Sequence, residues 1–532
     1  MSIGGIWQSG QSVCVEAFNF SARGLGVVLG PDVRIFTDED YILFFEGQVY
    51  GVKVDKILSD ITALETAFGH YCYVRLQKAT GRVDIGTDRL GYYPIYYAFD
   101  GWRLVFGSTL NYVKSKVKRP SPDFDAWEEL LVLGEVIGDK STVKEVKRLP
   151  SGTRLVIENE AIKFVRFWTP ECPEVVDDHT YIRQNNALLD EAVALTASQR
   201  RQKIVLLSGG EDSRRIALAS VRVGLDVKFH TQQAPHRGGA DIDTALARKV
   251  ATALGHDISV EPLPSCQQYV ADWQARDPLL GFECIAHEWL LPLVRRIAPE
   301  SIIYDGIVGD ITINGHYFKH YPQSLERFAS TESLARMVCG ADAKPWLNEL
   351  RRRTTSHLVE RVDGILATYP ASPHRLNWYF LLNHTRRKIS LVSQFFAMQG
   401  HWTCYPFMYY PLLVQSLSAD PRQQKERFFQ RECMAAVAPE IAAIPTTRGD
   451  VPADYLENMS DEDYRQRRAL RKQLEISEEA LDVFPLLRTK YRMLNKMRFP
   501  PADALLQRFG WFFEPVSRFS AFLEWLNNSR EA

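Results

Sequence analysis

The sequence has no run of about 18 consecutive apolar residues, so nothing in it reads as a membrane-spanning helix. A basic start followed by a long apolar stretch, the pattern of a secretory leader, is missing too. The eight cysteines (Cys14, Cys72, Cys172, Cys266, Cys284, Cys339, Cys404 and Cys433) contain no Cys-x-x-Cys and no Cys/His pair at zinc spacing. This speaks against a disulfide framework, a structural zinc and a sulfur relay. Nor does either charge dominate. Lys and Arg total 64 against 65 Asp and Glu, a formal net charge of −1, which gives no bulk electrostatic reason to expect nucleic acid or an anionic membrane as partner. These absences lead to the expectation of a cytoplasmic protein.

At 532 residues, 45% hydrophobic and 24% charged, the chain has room for roughly two to four domains with ordinary globular cores. Residues 1–172 carry short β patterns at Leu25–Leu29, Tyr41–Tyr50, Gly69–Leu76, Arg82–Thr87, Pro94–Phe99, Leu104–Phe106 and Thr153–Ile157. Several are bounded by Gly, Asp or Pro, and together they predict an antiparallel, sandwich-like domain. Pro170-Glu-Cys-Pro173 reads as a linker. Beyond it, Ile182, Leu188, Leu189, Ala192 and Leu195 have helical spacing over Thr180–Arg200. Lys203–Leu207 and Leu225–His230 read as strands, and Asp241–Gly255 as a helix ending on glycine. The alternation predicts a parallel α/β sheet over 178–460, whose ligands belong beyond the carboxyl ends of its strands. Residues 461–532 read as a basic helical extension broken at Phe499-Pro-Pro501, with Arg488–Arg498 as the solvated face of a docking helix.

The chemistry concentrates at Ser208-Gly-Gly-Glu-Asp-Ser213, between the Lys203 strand and a helix expected over Asp212–Val223. Paired glycines let the backbone approach a ligand, the free N–H groups of a helix start point at anions, and two serine hydroxyls add donors. Asp212 is the informative residue. A carboxylate beside phosphates is repulsive unless a cation bridges them, so it implies Mg²⁺. No Gly-Lys-Ser/Thr follows, which excludes the ordinary P-loop. The segment resembles the SGGxDS signature of the PP-loop ATP pyrophosphatases, which cleave ATP between its α and β phosphates.

Further segments are similar to the asparagine synthetase family. In the first third these are Gly86-Thr-Asp-Arg-Leu-Gly-Tyr-Tyr-Pro-Ile-Tyr-Tyr97, Phe106-Gly-Ser108, Lys147-Arg-Leu-Pro-Ser-Gly152 and Arg166-Phe-Trp168. The resemblance implies a class II (Ntn-type) glutamine amidotransferase fold, whose nucleophile is an amino-terminal cysteine acting with its own α-amino group as base. Here Ser2 stands where that cysteine is required, and Cys14 does not resemble the family start. Phe45-Glu-Gly-Gln-Val-Tyr50 aligns with the family's Phe-Asn-Gly-Glu-Ile-Tyr, so Glu46 replaces the amide that would stabilise an oxyanion. The expectation is a retained domain without glutaminase activity.

Asp243–Gly255 resembles the helix after the family's adenosine-contacting strand, and Ile302-Ile-Tyr-Asp-Gly-Ile-Val-Gly-Asp-Ile-Thr-Ile-Asn-Gly315 its second ATP motif, Gly-x-Gly-x-Asp-Glu-x-x-x-Gly. Cys404-Tyr-Pro-Phe407 and Ile444-Pro-Thr-Thr-Arg-Gly-Asp-Val-Pro452 follow the order of its carboxyl-terminal segments, where a lysine neutralises the transition state. The resemblance implies ATP contacts at Leu206, Ser208, Gly209, Gly210, Asp212, Ser213, Asp243, Gly306 and Gly309, Mg²⁺ ligands at Asp212 and Asp310, and catalytic roles for Asp310 and Arg448. The expected function is an AMP- and pyrophosphate-forming amide ligase that uses ATP and Mg²⁺ to adenylate a small-molecule or peptide carboxylate for attack by an amine. β-Lactam synthetases and lasso-peptide cyclases are similar variants that cyclise their substrates. Ile307 stands where the former place a tyrosine, and Ile311 where asparagine synthetases place a glutamate. Amidation of sugar acids, a partner protein delivering a peptide, a tRNA-modifying PP-loop enzyme and a non-catalytic nucleotide-binding partner remain as alternatives. His287 and Glu288 are candidates for the acceptor pocket or for a helix surface.

Overall fold

A computed structural model describes residues 3–8, 19–22, 24–199, 201–233, 240–262, 276–278, 281–284, 293–315, 330–340, 347–426, 429–447, 457–458, 477–485, 487–489 and 514–528, with 268, 271, 318 and 325 as isolated positions. Its first strands are β1 (Gly4–Gln8), β2 (Phe20–Ala22), β3 (Leu25–Val28), β4 (Arg34–Thr37), β5 (Tyr41–Tyr50), β6 (Phe68–Gln77), β7 (Val83–Thr87), β8 (Tyr96–Phe99), β9 (Arg103–Gly107), β10 (Lys147–Arg148), β11 (Thr153–Glu158) and β12 (Ala161–Arg166). They form two antiparallel sheets, ordered β10-β8-β9-β1-β3-β2 and β12-β11-β7-β6-β5-β4.

The period-two alternation of these strands sorts their side chains into layers. Cys72 and Val74 of β6 join Phe44, Ile85, Leu104 and Phe106 between the sheets. Their neighbours Tyr71 and Tyr73 face the other way, against Leu43, Phe45, Ile57 and Leu64, the last two on the helices Val54–Ser59 and Ile61–Thr66. On the opposite outer face Ile6, Tyr96 and Val105 pack against Trp127 of the Phe124–Leu133 helix. Phe519 and Phe522 of the Glu514–Asn527 helix close over Trp127, with ring centroids 4.7 and 4.9 Å away. The last described helix of the chain thus covers the first domain.

The second domain carries β13 (Lys203–Leu206), β14 (Val227–Gln232), a two-stranded pairing of β15 (Ala240–Asp241) with Glu457–Asn458, then β16 (Ile258–Glu261), β17 (Ile302–Tyr304) and β18 (Trp402–Cys404). Its main sheet is entirely parallel, ordered β16-β14-β13-β17-β18. The chain therefore has an amino-terminal antiparallel sandwich and a carboxyl-terminal parallel sheet covered by helices. The first helix of this domain runs Asp178–Ala194, where Asp177 caps it by accepting the Thr180 N–H at 3.0 Å. The helix after β14 runs Ile242–Ala253, capped by Asp241 on the Thr244 N–H at 3.0 Å. β14 begins two residues later than the apolar pattern suggests, because Gly224 at φ +71° ends the preceding helix and the Leu225 N–H still bonds Ser220 O. Among the described residues no helix is long and apolar enough to cross a membrane.

Candidate active site

β13 ends on Leu206, whose side chain lies in the core with Ile204, Ile303 and Phe396. The chain turns through Ser208, Gly209 and Gly210 into the Glu211–Arg222 helix. This turn is tied internally. The Ser208 N–H donates to Ser213 Oγ at 3.0 Å, the two serine hydroxyls lie 2.9 Å apart, and the Gly210 N–H donates to Ser208 Oγ at 3.1 Å. The Gly209 N–H donates to Asp243 Oδ1 at 2.9 Å, so a carboxylate sits on a backbone donor of the turn as a bound anion would. A Cβ at Gly209 would fall 2.8 Å from both Asp243 Oδ1 and Thr447 Cγ2.

The segment after β17 comes to the same place. A Cβ at Gly306 would meet Ser213 N at 2.9 Å and Asp212 Cβ at 3.0 Å, and one at Gly309 would meet Asp212 Oδ1 and Gln430 Nε2, each at 2.6 Å. Close approach of the Asp212–Ser213 backbone requires glycine at position 306, and close approach of the Asp212 and Gln430 side chains requires it at 309. Asp310 follows directly in the short helical turn Gly309–Thr312. Val308 sits where the motif has its second glycine, and it holds φ +91°, a left-handed conformation that β-branched residues rarely adopt. Ile311, in place of the motif's glutamate, is buried in the core. Asp305 at the mouth of β17 accepts the Ile307 N–H at 2.9 Å, and desolvation pushes its carboxyl up to about 6.

A third segment is held there by Arg214. Its guanidinium donates to Gly209 O at 2.9 Å, to Ile444 O at 2.7 Å and to Pro445 O. The chain leading towards Arg448 is thereby fastened to the serine–glycine turn, with Thr447 beside Gly209. Arg448 itself lies outside the described residues, as do Ser2, Cys14, Cys266, His287 and Glu288.

The sequence reading missed the polar side chains that hold Asp212. Gln430 donates its amide N–H to Asp212 Oδ1 and accepts from Arg215 Nη1 at 2.7 Å. The Gln430 N–H donates to Asn314 Oδ1 at 3.0 Å, and Asn314 donates to Glu211 Oε2 at 3.0 Å. Glu211 also faces Arg431 Nε at 3.4 Å. The available signal was Arg214-Arg215 itself. Two arginines on the apolar side of a helix need internal acceptors, and both are at most 2% exposed.

In the first domain, Glu46 is buried between the sheets. Its carboxylate accepts the Ile3 N–H at 2.9 Å, the Tyr93 hydroxyl at 2.6 Å and the Ser108 hydroxyl at 2.9 Å, with Cys72 Sγ 3.8 Å away. Burial first, and then this carboxylate, push the Cys72 thiol well above its ordinary range, so it stays protonated and inert.

Residues 60–168 match the glutamine amidotransferase domain family. The first domain is amidotransferase-like. A protein described as a putative glutamine-hydrolysing asparagine synthetase 2, from Methanocaldococcus jannaschii, is 27% identical over 239 residues, 39% of this chain and 46% of that protein. The chain thus spans less than half the length of this curated relative. Among solved structures, the glutamine phosphoribosylpyrophosphate amidotransferase from B. subtilis complexed with ADP and GMP shares 11% identity, covering 49% of this chain and 84% of that one, at a TM-score of 0.20. A structure of the allosteric regulatory enzyme of purine biosynthesis also shares 11%, covering 49% and 74%, at 0.19. Superpositions at that level carry no argument about this chain. The sequence likenesses are thus distant ones, to amidotransferase and ligase proteins.

Proposed function

We propose that the protein is an ATP-dependent, AMP-forming amide ligase without a working glutaminase. The observation that carries this reading is the convergence of Ser208–Ser213, Gly306–Asp310 and the tethered 444–447 segment at the carboxyl ends of β13 and β17. Ligands of parallel sheets bind there. Among the described residues no cluster of three or more His, Cys, Asp or Glu is placed to hold a metal. A pair of carboxylates, Asp212 and Asp310, suits Mg²⁺, which commonly takes one or two carboxylates together with phosphates and water. Bound there, Mg²⁺ would neutralise charge on the departing pyrophosphate.

The chain's own part is to position and to neutralise. A substrate carboxylate oxygen bonds to the α-phosphorus as the α–β phosphate bond breaks and pyrophosphate leaves. An amine nitrogen then bonds to the acyl carbon, the bond to AMP breaks, and the amine proton passes to a base. Ser208, Gly209, Gly210 and Ser213 supply donors for phosphate oxygens once Asp243 yields the Gly209 N–H, and Arg448 adds a permanent charge. Asp305, whose carboxyl burial pushes up to about 6, sits at the mouth of β17 as a candidate base. Glu46 fills the position of the amide donor that glutaminase chemistry needs, so the amine comes free, from a second substrate or from within the same one.

Pyrophosphate release, measured with panels of carboxylates and amines, tests the reading. A signal that depends on Mg²⁺ and disappears in Asp212→Ala supports it, and a product lighter than its substrate by one water identifies cyclisation. No nucleotide binding by the unaltered protein would reject it.

A further inference from the structure

We propose that Gln430 is a positioning residue that presents the Asp212 carboxylate to the cation, an inference that rests on the ligase reading above. Gln430 is fully buried and spans two groups that fix which way its amide points. Arg215 has only donors, so the amide oxygen faces Arg215 Nη1 at 2.7 Å and the amide nitrogen must face Asp212 Oδ1. Arg215 is itself immobilised, donating to Asn185 Oδ1 at 2.8 Å and Asn186 Oδ1 at 3.0 Å on the Asp178–Ala194 helix. Those asparagines are held in turn by Gln415, Ser416 and the Cys433 carbonyl. The orientation of one carboxylate is thus set by a chain of buried hydrogen bonds that reaches across the domain.

Charge explains why a glutamine stands in this place. A lysine or arginine against Asp212 would neutralise it and compete with a divalent cation. An amide fixes the carboxylate's rotamer through one oxygen and leaves its charge intact. Arg215, one bond further out, polarises the amide so that its N–H is a stronger donor. Gly309 belongs to the same device, because any Cβ there would lie 2.6 Å from both Asp212 Oδ1 and Gln430 Nε2. Its glycine is required by this hydrogen bond, besides any role in admitting a nucleotide.

The test compares the full-length protein with Gln430→Met, which keeps length and loses both polar ends. Mn²⁺ affinity is read by electron paramagnetic resonance, and ATP affinity is measured with and without metal. Removing an outer hydrogen-bond partner of a metal ligand commonly costs about 10–100-fold in metal affinity. Mn²⁺ and Mg-ATP binding should therefore weaken by about that factor, while binding of metal-free ATP stays within about twofold. A purely structural residue would weaken both alike, and that result overturns the proposal, as does unchanged Mn²⁺ affinity. Should Gln430→Met not fold, Gln430→Asn takes its place: it keeps a buried amide too short to reach from Arg215 to Asp212, and the same selective loss is expected. If the unaltered protein binds neither Mn²⁺ nor Mg-ATP, the ligase reading fails first and this inference with it.

Discussion

Val308 holds φ +91° with its side chain fully buried, and the two facts pull against each other. Left-handed strain in a β-branched residue costs about 1–3 kcal/mol. Burying the valine side chain returns about 1.5–3 kcal/mol, and glycine would add about 0.5–1 kcal/mol of lost freedom on folding. Val308→Gly is therefore expected to destabilise by only about 1 kcal/mol, where the same change at an unstrained buried site costs about 3. Chemical denaturation distinguishes the two. Gly309→Ala drives a methyl group into the buried Asp212–Gln430 hydrogen bond, so unfolding free energy should fall by about 1–3 kcal/mol and Mg-ATP affinity should fall with it.

Between elements, the Phe124–Leu133 helix of the first domain is clamped to the Leu358–Ala367 helix of the second by one arginine. Arg361 lies 3.4 Å from Asp125 Oδ1, 2.7 Å from Glu128 Oε2 and 2.9 Å from Glu129 Oε1, and its side chain is 7% exposed. Taking it away leaves three carboxylates crowded in a buried interface, where among the described residues Arg351 still pairs Glu128, and Lys140 and the Ile137 N–H still serve Glu129. Arg361→Met should cost about 3–5 kcal/mol in unfolding free energy at neutral pH. A double change that also converts Glu129 to Gln should recover part of the loss, which a double-mutant cycle would measure.

For the whole molecule, the interface between domains carries a built-in pH dependence. His70 on β6 packs on Tyr93 of its own domain, 4.8 Å between ring centroids, and on Tyr405 of the other, 5.9 Å. Burial lowers its pKa from 6.5 to about 3, and its Nε2 has no hydrogen-bond partner among the described residues. As pH falls below 6.5 the unfolded chain takes up a proton that the folded chain refuses, so stability is intact above 6.5 and declines towards pH 3. By pH 5 the loss from this group is about 2 kcal/mol. His374, lowered by burial to about 4, acts in the same direction. His70→Phe should flatten the stability profile between pH 6.5 and 5, as followed by denaturant unfolding at each pH.

The amino-acid order alone was enough for what depends on near neighbours. Alternation at period two marked most strands of the sandwich, and Ser208–Ser213 between a strand and a helix marked the turn, because both patterns are written within ten residues of chain. The short strands β1, β2, β4, β10, β12, β16 and β18 escaped notice. Gly4–Gln8 is stabilised by a partner far along the chain, Ala161–Arg166 alternates too weakly to stand out although it pairs with the neighbouring Thr153–Glu158, and Trp402–Cys404 is only three residues long. Asp212 was legible as a candidate ligand from its neighbours, but Gln430 was not, since nothing around it in the sequence distinguishes it from a surface helix residue. Its role comes from a bond across 218 positions to Asp212 and another across 215 to Arg215. Such pairings exist only after the sheet has brought the segments together. Local propensity and spacing determined most of the elements and singled out the candidate turn, while burial and long-range hydrogen bonding, which no window of sequence contains, decided what the carboxylate of that turn bonds to.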